Sequence, residues 1–330
     1  MISSARYGLL KITALLVLVV LVIPGAGLVF ADDSPQALLD RMSHSFRELD
    51  YHGTFSFQQG NSTESFRMAH AVIDGEEFER LEYLDGEKRE IVRRGHNLNC
   101  VHPGHKLLRL YQQQLQLDSA ADGGVGDFYQ FSVTGSGRVA GREVVNLEIS
   151  PKDTHRFGYH LSLDKETGLL LRTELVGPGK TILERFQFVE ITIGEPIAPE
   201  QFVDAGGSHQ AKHVEPLAAD TVAKSVMGQG WTVKWLPAGF TSAVANLKFV
   251  SGDMATFTDG LTVFSVFLER DVDSDVMQRG LEGNAQKGAT TAYSRLLVLA
   301  DHPYRITVVG EIPAQTAQQI AQSVRLVSSP

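Results

Sequence analysis

The 330-residue chain contains a single cysteine, Cys100, so no disulfide can form within it. Stability must therefore come from the hydrophobic cores, even in an oxidising compartment where many proteins gain covalent cross-links. The sequence favours a buried, unreactive thiol at Cys100 and leaves open a reactive or intermolecular one.

Signatures of known catalytic sites are also absent. There is no G-x-S-x-G elbow, no H-E-x-x-H and no G-x-G-x-x-G after a strand. The segment 177–181 resembles the end of a phosphate-binding loop, but Glu174 replaces a required glycine, so a hairpin turn is favoured. Cys100, His102 and His105 lack an evident fourth metal ligand. We therefore predict no catalytic residue, no cofactor and no metal site, and hence no enzyme.

Positive charge is scarce, since the chain has 30 basic and 39 acidic residues and a net charge of -9. Without residues 1–31, which hold two basic and no acidic residues, 28 basic and 39 acidic residues leave a net charge of -11. Such a surface repels nucleic acid on average, which excludes it as a general partner.

Long apolar runs are confined to the first segment. Arg6 and Lys11 give it a positive start, residues 12–23 are apolar apart from one threonine, and Pro24 follows. This pattern predicts a signal peptide, residues 1–31, cleaved after Ala31. An uncleaved anchor is the alternative, although the pure apolar core is shorter than the roughly 20 residues that a membrane span needs.

The remaining chain predicts an α+β fold with mainly antiparallel strands. A helix begins at Pro35, and alternating residues and turn dipeptides such as Asp74-Gly75 then predict successive hairpins. The composition becomes polar and glycine-containing after Phe202, which indicates a linker. Further strands and a helix after Pro313 follow. The predicted domains are 32–205 and a smaller 223–330, joined by the linker 206–222.

An apolar hollow is the first candidate binding site. A half-open sheet wrapped on a helix leaves such a hollow, and six residues on the first strands are candidates to line it for a lipid. These are Phe55, Phe57, Phe66, Met68, Leu81 and Tyr83. A filled core is the alternative, and the sequence does not distinguish the two.

A basic cluster is the second candidate site. Arg89, Arg93 and Arg94 belong to the densest group of positive charges in an otherwise acidic chain. They are candidates to bind an anionic group such as a phosphate. The alternative is a solvated strand that forms cross-strand pairs with Glu79 and Glu82.

Blocks distributed over nearly the whole chain resemble the RseB/MucB family. Each block is short, but all occur in the family's order. They are 51–55 (Y-H-G-T-F), 84–86 (L-D-G), 90–95 (E-I-V-R-R-G), 156–159 (R-F-G-Y), 167–170 (T-G-L-L), 236–240 (L-P-A-G-F), 259–261 (D-G-L), 263–266 (V-F-S-V) and 308–313 (V-V-G-E-I-P).

This resemblance implies a periplasmic negative regulator of an envelope-stress sigma factor. Such proteins bind the periplasmic part of a membrane-spanning anti-sigma factor and shield it from a site-1 protease. Their N-terminal domain is similar to the carriers LolA and LolB, an unclosed β-barrel. A lipopolysaccharide or another acyl-chain ligand is implied to release the partner, and a homodimer is implied as well.

The resemblance places the partner against the C-terminal domain and the groove between the domains. Trp231, Trp235 and Phe240 are our candidate anchors for it, because large aromatic residues dominate such contacts. Core packing of the smaller domain is the alternative for all three. For the whole protein, a periplasmic lipid or lipoprotein carrier is the alternative function, and an envelope hydrolase with an unfamiliar site is a third.

Overall fold

The structure is a computed structural model that describes residues 34–94, 124–203, 231–249, 252–270, 282–299 and 302–326. All of them fall in one compact unit, Asp32–Pro330. The predicted signal peptide, Cys100 with its two histidines, and the linker 206–222 lie outside the described residues. None of the helices in the described ranges has the length and apolar character needed to cross a bilayer.

The described residues form an α+β fold in which antiparallel strands dominate, which confirms the predicted fold class. The helices are α1 (Pro35–Glu48), α2 (Val125–Phe128) and α3 (Ala314–Ser323). The strands are β1 (Tyr51–Gln59), β2 (Ser62–Ile73), β3 (Glu76–Tyr83), β4 (Glu90–Arg94), β5 (Tyr129–Val139), β6 (Arg142–Pro151), β7 (Gly158–Asp164), β8 (Leu170–Val176), β9 (Ile182–Ile193), β10 (Trp231–Val233), β11 (Thr241–Phe249), β12 (Gly252–Thr258), β13 (Val263–Arg270), β14 (Gly283–Lys287), β15 (Thr290–Leu299), β16 (His302–Gly310) and β17 (Val324–Leu326).

The first nine strands form one sheet in the order β4-β3-β2-β1-β9-β8-β7-β6-β5. Strands β4 and β5 are its two edges and do not pair with each other in the described chain, so the sheet is unclosed, as predicted. The alternation of side chains puts Tyr51, Phe55 and their neighbours on the face that also receives α1. A 3-10 turn at Pro199–Phe202 covers part of the opposite face.

Helix α1 fits the face it covers because its apolar residues recur at helical spacing. The side chain of Ser34 accepts a hydrogen bond from the N–H of Ala37 at 3.3 Å and caps the first turn. The buried stripe of α1 packs with apolar residues of β1–β9, and we call this set the N-terminal cluster. It includes Leu38, Leu39, Met42, Phe46, Tyr51, Phe55, Phe66, Met68, Leu81, Tyr129, Leu147, Tyr159, Leu161, Leu163, Phe186 and Phe188.

The turn between β7 and β8 holds α1 in place. The hydroxyl of Ser45 donates to the carbonyl oxygen of Thr167. Gly168 has a φ of 82°, and a Cβ there would lie 2.9 Å from the Cβ of Arg41, so glycine alone allows this approach. Asp164 organises the same turn, because it accepts hydrogen bonds from the backbone N–H and the hydroxyl of Thr167 at 2.9 and 2.8 Å.

The later strands form a six-stranded sheet in the order β11-β12-β13-β16-β15-β14 and a two-stranded sheet of β10 with β17. Helix α3 begins after Pro313, where the sequence predicts it. It buries one face against the six-stranded sheet, and we call the shared core the C-terminal cluster. That cluster includes Trp231, Phe240, Phe257, Phe264, Val266, Leu268, Ile306, Val308, Ala317, Ile320 and Val324.

A pH-dependent contribution to stability is expected from Asp164. Burial raises the pKa of this carboxyl, but hydrogen bonds from Arg142 at 2.7 and 2.9 Å and from Thr167 lower it more, so the net pKa lies below the ordinary value. A carboxyl with a depressed folded-state pKa stabilises the fold above its unfolded pKa of about 3.9 and loses that contribution as the pH falls through the folded value.

Asp164→Asn should therefore lower the free energy of unfolding by roughly 1–2 kcal/mol at neutral pH, because charge-assisted hydrogen bonds are lost. Urea unfolding measured from about pH 6 to about pH 2 should show the gap to the wild type closing at acid pH. Glu143→Gln is the control, since its pair with Lys165 is exposed on both sides. A gap for Asp164→Asn that does not change with pH would refute this explanation.

Candidate functional site

The site of greatest interest is the joint where the nine-stranded sheet meets the six-stranded one. Arg156 lies just before β7, and Asp259 lies in the turn between β12 and β13. The Nη1 atom of Arg156 is 3.0 Å from Oδ2 of Asp259, and both side chains are fully buried. The Nη2 atom also donates to the carbonyl oxygen of Ala238 and lies 3.1 Å from Asp153. The guanidinium fork therefore ties two segments of the later chain to the first sheet.

Aromatic rings from both sides surround this guanidinium. Its Cζ atom lies 4.8 Å from the ring centre of Phe128, 5.5 Å from that of Tyr129 and 5.1 Å from that of Phe240. At these distances the ring faces attract the cation. Gly239 has a φ of 85°, and a Cβ there would lie 2.2 Å from a carbon of the Phe128 ring. Glycine at this position allows the two sides to close on each other.

Hydrogen bonds satisfy the carboxylate of Asp259. Its Oδ1 accepts the backbone N–H groups of Leu261 at 3.0 Å and Thr262 at 2.7 Å, and its Oδ2 accepts the hydroxyl of Tyr129 at 3.1 Å. Burial raises the pKa of Tyr129 well above its ordinary value, so this phenol stays protonated and donates. Burial also raises the pKa of Asp259, and the N–H of Thr262 and the charge of Arg156 oppose that rise. The carboxylate is thus fully paired, whereas the Nε atom of Arg156 is buried without a hydrogen-bond partner among the described residues.

A second polar contact lies at the turn between β14 and β15. The Oε1 atom of Glu184 accepts hydrogen bonds from the side chain of Gln59 at 3.0 Å and from the backbone N–H of Ala289 at 3.1 Å. Gly288 has a φ of 58°, and a Cβ there would lie 2.5 Å from Cγ of Gln59. The turn therefore sits tightly against the ends of β1 and β9.

Two apolar residues of the later chain belong to the N-terminal cluster. Leu261 is 4% exposed and Ala289 is fully buried, and both pack with the first sheet rather than with the C-terminal cluster. They come from the same two turns that carry Asp259 and Gly288. The six-stranded sheet thus completes the core of the nine-stranded one.

The six candidate lining residues of the hollow are all brought to one region of β1–β3. Phe55, Phe66, Met68 and Leu81 are buried, while Phe57 and Tyr83 are partly buried against the same cluster. The rings of Phe55 and Phe66 stack with centres 4.9 Å apart, and Tyr83 meets Phe66 edge-on at 4.8 Å. In the described arrangement these side chains pack on one another.

Sequence reasoning missed two neighbours of this group. Phe186 and Phe188 of β9 lie with ring centres 4.7 and 6.0 Å from that of Phe55. Their alternation within a predicted strand was a usable signal, but strand order was needed to place β9 beside β1. The aromatic group therefore crosses four adjacent strands.

A pocket of about 310 Å³ lies on the opposite face of β1–β3. Its lining is polar, with His52, Thr54, Arg67, Arg80, Glu82 and Glu190 among its residues. Arg67 pairs with Glu82 at 3.0 Å, and Thr54 donates to Glu190 at 3.0 Å. Such charged walls are unsuited to an acyl chain, which needs an apolar lining.

The three candidate arginines lie along the β4 edge, on both faces of the sheet. Arg93 lies 3.9 Å from Glu79 across the β3–β4 pair, as the cross-strand alternative expects. Arg94 is 2.6 Å from Glu76 on the other face. The guanidinium of Arg89 lies 4.1 Å above the ring of Tyr83, a candidate lining residue. Arg89 and Arg93 thus border the aromatic group, and Arg94 points away from it.

The three candidate partner anchors occupy different environments. Trp231 is 2% exposed and Phe240 is 6% exposed, and both belong to the C-terminal cluster. Trp235 is partly buried and meets His155 edge-on, with ring centres 5.2 Å apart. His155 in turn lies 3.3 Å from the hydroxyl of Thr316 on α3. Trp235 therefore stands at the joint, whereas the other two are core residues.

No group of metal-ligating side chains occurs among the residues that the structure describes. The charged groups at the joint are engaged with one another rather than aimed at a common open point. We assign no reaction to this arrangement.

Models of a known family match both halves of the chain. Residues 34–205 match the MucB/RseB N-terminal domain, and residues 225–325 match the MucB/RseB C-terminal domain. A curated relative is the sigma factor AlgU regulatory protein MucB of Pseudomonas aeruginosa. It is 34% identical over 298 residues, which cover 87% of this chain and 89% of that protein.

Two solved structures extend the likeness to three dimensions. The crystal structure of MucB in complex with MucA(peri) is 30% identical, covers 89% of this chain and 100% of its own, and gives a TM-score of 0.69. The crystal structure of MucB is 28% identical, covers 89% of this chain and 98% of its own, and gives a TM-score of 0.55. The chain therefore has a higher TM-score against the first structure than against the second.

Removal of the Asp259 carboxylate should destabilise the joint strongly. Asp259→Ala leaves the guanidinium of Arg156 buried without its main partner, so we expect the free energy of unfolding to fall by about 3–5 kcal/mol. Glu76→Ala is the control, because it breaks the exposed pair with Arg94 and should cost less than about 1 kcal/mol. Equal losses for the two variants in urea unfolding would contradict the assignment of the joint.

Proposed function

The chain belongs to the MucB/RseB family, and from that premise we propose that it is a periplasmic negative regulator of an envelope-stress sigma factor. It acts by binding the periplasmic segment of a membrane-spanning anti-sigma factor. The observation that carries this proposal is the match of both halves of the chain, in order, to the two family domains.

The partner is held while the two sheets are joined. MucB is known in complex with MucA(peri), and the described arrangement is similar to that structure. The joint of Arg156 with Asp259 is the described contact that holds the two sheets in this arrangement.

An extended partner segment suits the six-stranded sheet. An edge strand offers N–H and C=O groups that a second chain can pair with. Among the described strands, β14 is an edge of this sheet and is exposed along its length. Of the three candidate anchors, Trp235 is our choice for contact with the partner, because it is only partly buried, whereas Trp231 and Phe240 are core residues.

Capture of this segment shields it from the site-1 protease, because a protease needs an accessible, extended peptide. The sigma factor then stays with the anti-sigma factor. A lipopolysaccharide or another acyl-chain ligand releases the partner by linkage: a ligand that binds the partner-free form better weakens the partner by the same factor. The protein is not an enzyme, and a homodimer is the assembly that the family implies.

A regulator is favoured over a lipid or lipoprotein carrier by the second sheet. A carrier needs only an apolar site that opens and closes, which the first sheet with α1 can supply. In this chain a buried ion pair and two turns join a further sheet to the first one. Such a joint has a use when the two sheets together hold a partner.

A protease-protection assay tests the proposed function. The anti-sigma periplasmic segment is incubated with the site-1 protease, with and without the mature chain, and intact segment is followed by gel. The segment should last at least about 10-fold longer with saturating protein, since only the free fraction is cut. Absence of protection by the folded wild type would end the proposal.

The same assay tests Trp235. Trp235→Ala should raise the concentration needed for half protection by about 30-fold, the factor that corresponds to losing an interface anchor worth about 2 kcal/mol. Tyr304→Ala is the matched control, because Tyr304 is also partly buried against the C-terminal cluster. Equal shifts for both variants would show that Trp235 acts only through the core.

The arginines are tested by release of the bound partner with purified lipopolysaccharide. Replacing Arg93 and Arg94 together with alanine should raise the half-release concentration about 10-fold or more, because charge-assisted hydrogen bonds to phosphate are lost. Arg67→Ala is the control, since it removes from β2 an arginine that is about as exposed as Arg94. Unchanged release with intact folding would show that the two arginines are only part of a solvated strand and do not bind the ligand.

A further inference from the structure

The polar pocket on the face of β1–β3 that lies away from α1 has a floor built by one small side chain. Ala69 of β2 pairs with His52 of β1 on one side and with Arg80 of β3 on the other. Residues directly opposite each other in a sheet point to the same face, so the methyl group of Ala69 lies between two long side chains. This difference in length leaves the recess of about 310 Å³.

The chain that follows β9 closes one end of the pocket. Gln201 belongs to the 3-10 turn Pro199–Phe202 and lines the pocket, and its carbonyl oxygen accepts a hydrogen bond from Nη1 of Arg80 at 3.1 Å. Phe202 of the same turn is buried and packs on Phe78 of β3, with ring centres 5.6 Å apart. The end wall is therefore fixed by the fold and not by the position of one long side chain.

The pocket offers guanidinium donors that the fold leaves over. Arg80 donates through Nη1 to Gln201 and through Nη2 to Glu90 at 3.0 Å, which are two of its five N–H groups. Arg67 donates one N–H to Glu82 at 3.0 Å. The other N–H groups of both arginines have no hydrogen-bond partner among the described residues. Such forks are suited to a carboxylate.

The wall on the β9 side offers a carboxylate without a counter-charge. Glu190 accepts the hydroxyl of Thr54 at 3.0 Å and forms no ion pair with the described residues. Two arginines and two glutamates line the pocket, so its formal charge is balanced. A ligand with charge of one sign only would be repelled by half of these groups, whereas a ligand with both signs is attracted at both ends.

We propose that this pocket binds a small zwitterion of dipeptide size, with its ammonium group at Glu190 and its carboxylate at Arg67 and Arg80. Strands β9 and β3 are three strand spacings apart, which is roughly 14 Å between their backbones. The side chains of Glu190 and Arg80 shorten this span from both ends. An extended dipeptide of about 7 Å fills the remainder, whereas the charges of a single amino acid are too close together.

This site goes beyond the proposed function and does not depend on it, because it lies on the face of the first sheet that neither α1 nor the joint uses. Its size is at the lower end of the range for small-molecule sites. Its lining of charged and hydroxyl groups selects a ligand by paired charges rather than by apolar area.

Capped and uncapped dipeptides test the proposal. Binding of L-alanyl-L-alanine to the mature chain is measured by saturation-transfer NMR titration. N-acetyl-L-alanyl-L-alanine lacks the ammonium charge, L-alanyl-L-alaninamide lacks the carboxylate, and L-alanine carries both charges at a shorter distance. These three compounds are the ligand controls.

We expect L-alanyl-L-alanine to bind with a Kd below about 1 mM and each control to bind at least about 10-fold more weakly, because each gives up a charge-assisted hydrogen bond. Equal binding by the dipeptide and any of the three would overturn the zwitterion. Absence of dipeptide binding at about 10 mM would show that the pocket holds only solvent and would overturn the site. Neither result bears on the protease-protection assay.

Two variants locate the binding. Ala69→Leu fills the floor of the pocket and should weaken dipeptide binding at least about 10-fold, with urea unfolding as the check that it folds. Glu190→Gln keeps the proposal testable if that variant does not fold. It should weaken L-alanyl-L-alanine about 10-fold and leave N-acetyl-L-alanyl-L-alanine unchanged, since the acetylated peptide has no ammonium group to lose.

Glu195→Gln is the matched control, because Glu195 is exposed and lies outside the pocket. An equal effect of Glu190→Gln and Glu195→Gln would place any binding elsewhere and overturn the proposed site. Full binding by folded Ala69→Leu would do the same.

Discussion

The buried pair of Arg156 and Asp259 is the constraint on which the arrangement of the two sheets depends. Each charge would be costly to bury alone, and the two pair with each other only when the sheets are together. Compared with apolar residues of similar volume, such a pair adds little net stability. Its effect is to favour one relative position of the two sheets over nearby positions, so it fixes geometry more than it adds stability.

The pair also links two separate cores. Tyr129, which donates to Asp259, belongs to the N-terminal cluster, while Phe240, whose ring faces Arg156, belongs to the C-terminal cluster. A change of packing in either cluster therefore reaches the same guanidinium. The crossing of Leu261 and Ala289 into the N-terminal cluster adds an apolar contact to this polar one, so the two sheets share both kinds of interaction.

Much of the fold could be predicted because its causes are local. Ser34 and Pro35 start α1, and alternation along β1 separates the buried face from the exposed one. The joint could not be predicted in this way. Arg156 and Asp259 are 103 residues apart, and Asp259-Gly260 has the composition of an ordinary hairpin turn. A single sequence does not distinguish a turn aspartate that pairs across the joint from one that only shapes its own turn.

The same limit explains why the environments of the candidate residues could be predicted only in part. Aromatic size singled out Trp231, Trp235 and Phe240, but only the packing of α3 and β17 distinguishes two core residues from one at the joint. The alternation of β4 puts Arg93 and Arg94 on opposite faces of the sheet. It gave no indication that Arg89 lies over Tyr83, because that contact depends on where the chain bends before β4.

The presence of a single cysteine bears on how the joint is held. Since no disulfide can form within the chain, no covalent cross-link fixes one sheet against the other. The joint is held by an ion pair, a few hydrogen bonds and two apolar side chains, all of which can separate and re-form without redox chemistry. A regulator that has to release its partner and capture it again needs a joint of this reversible kind.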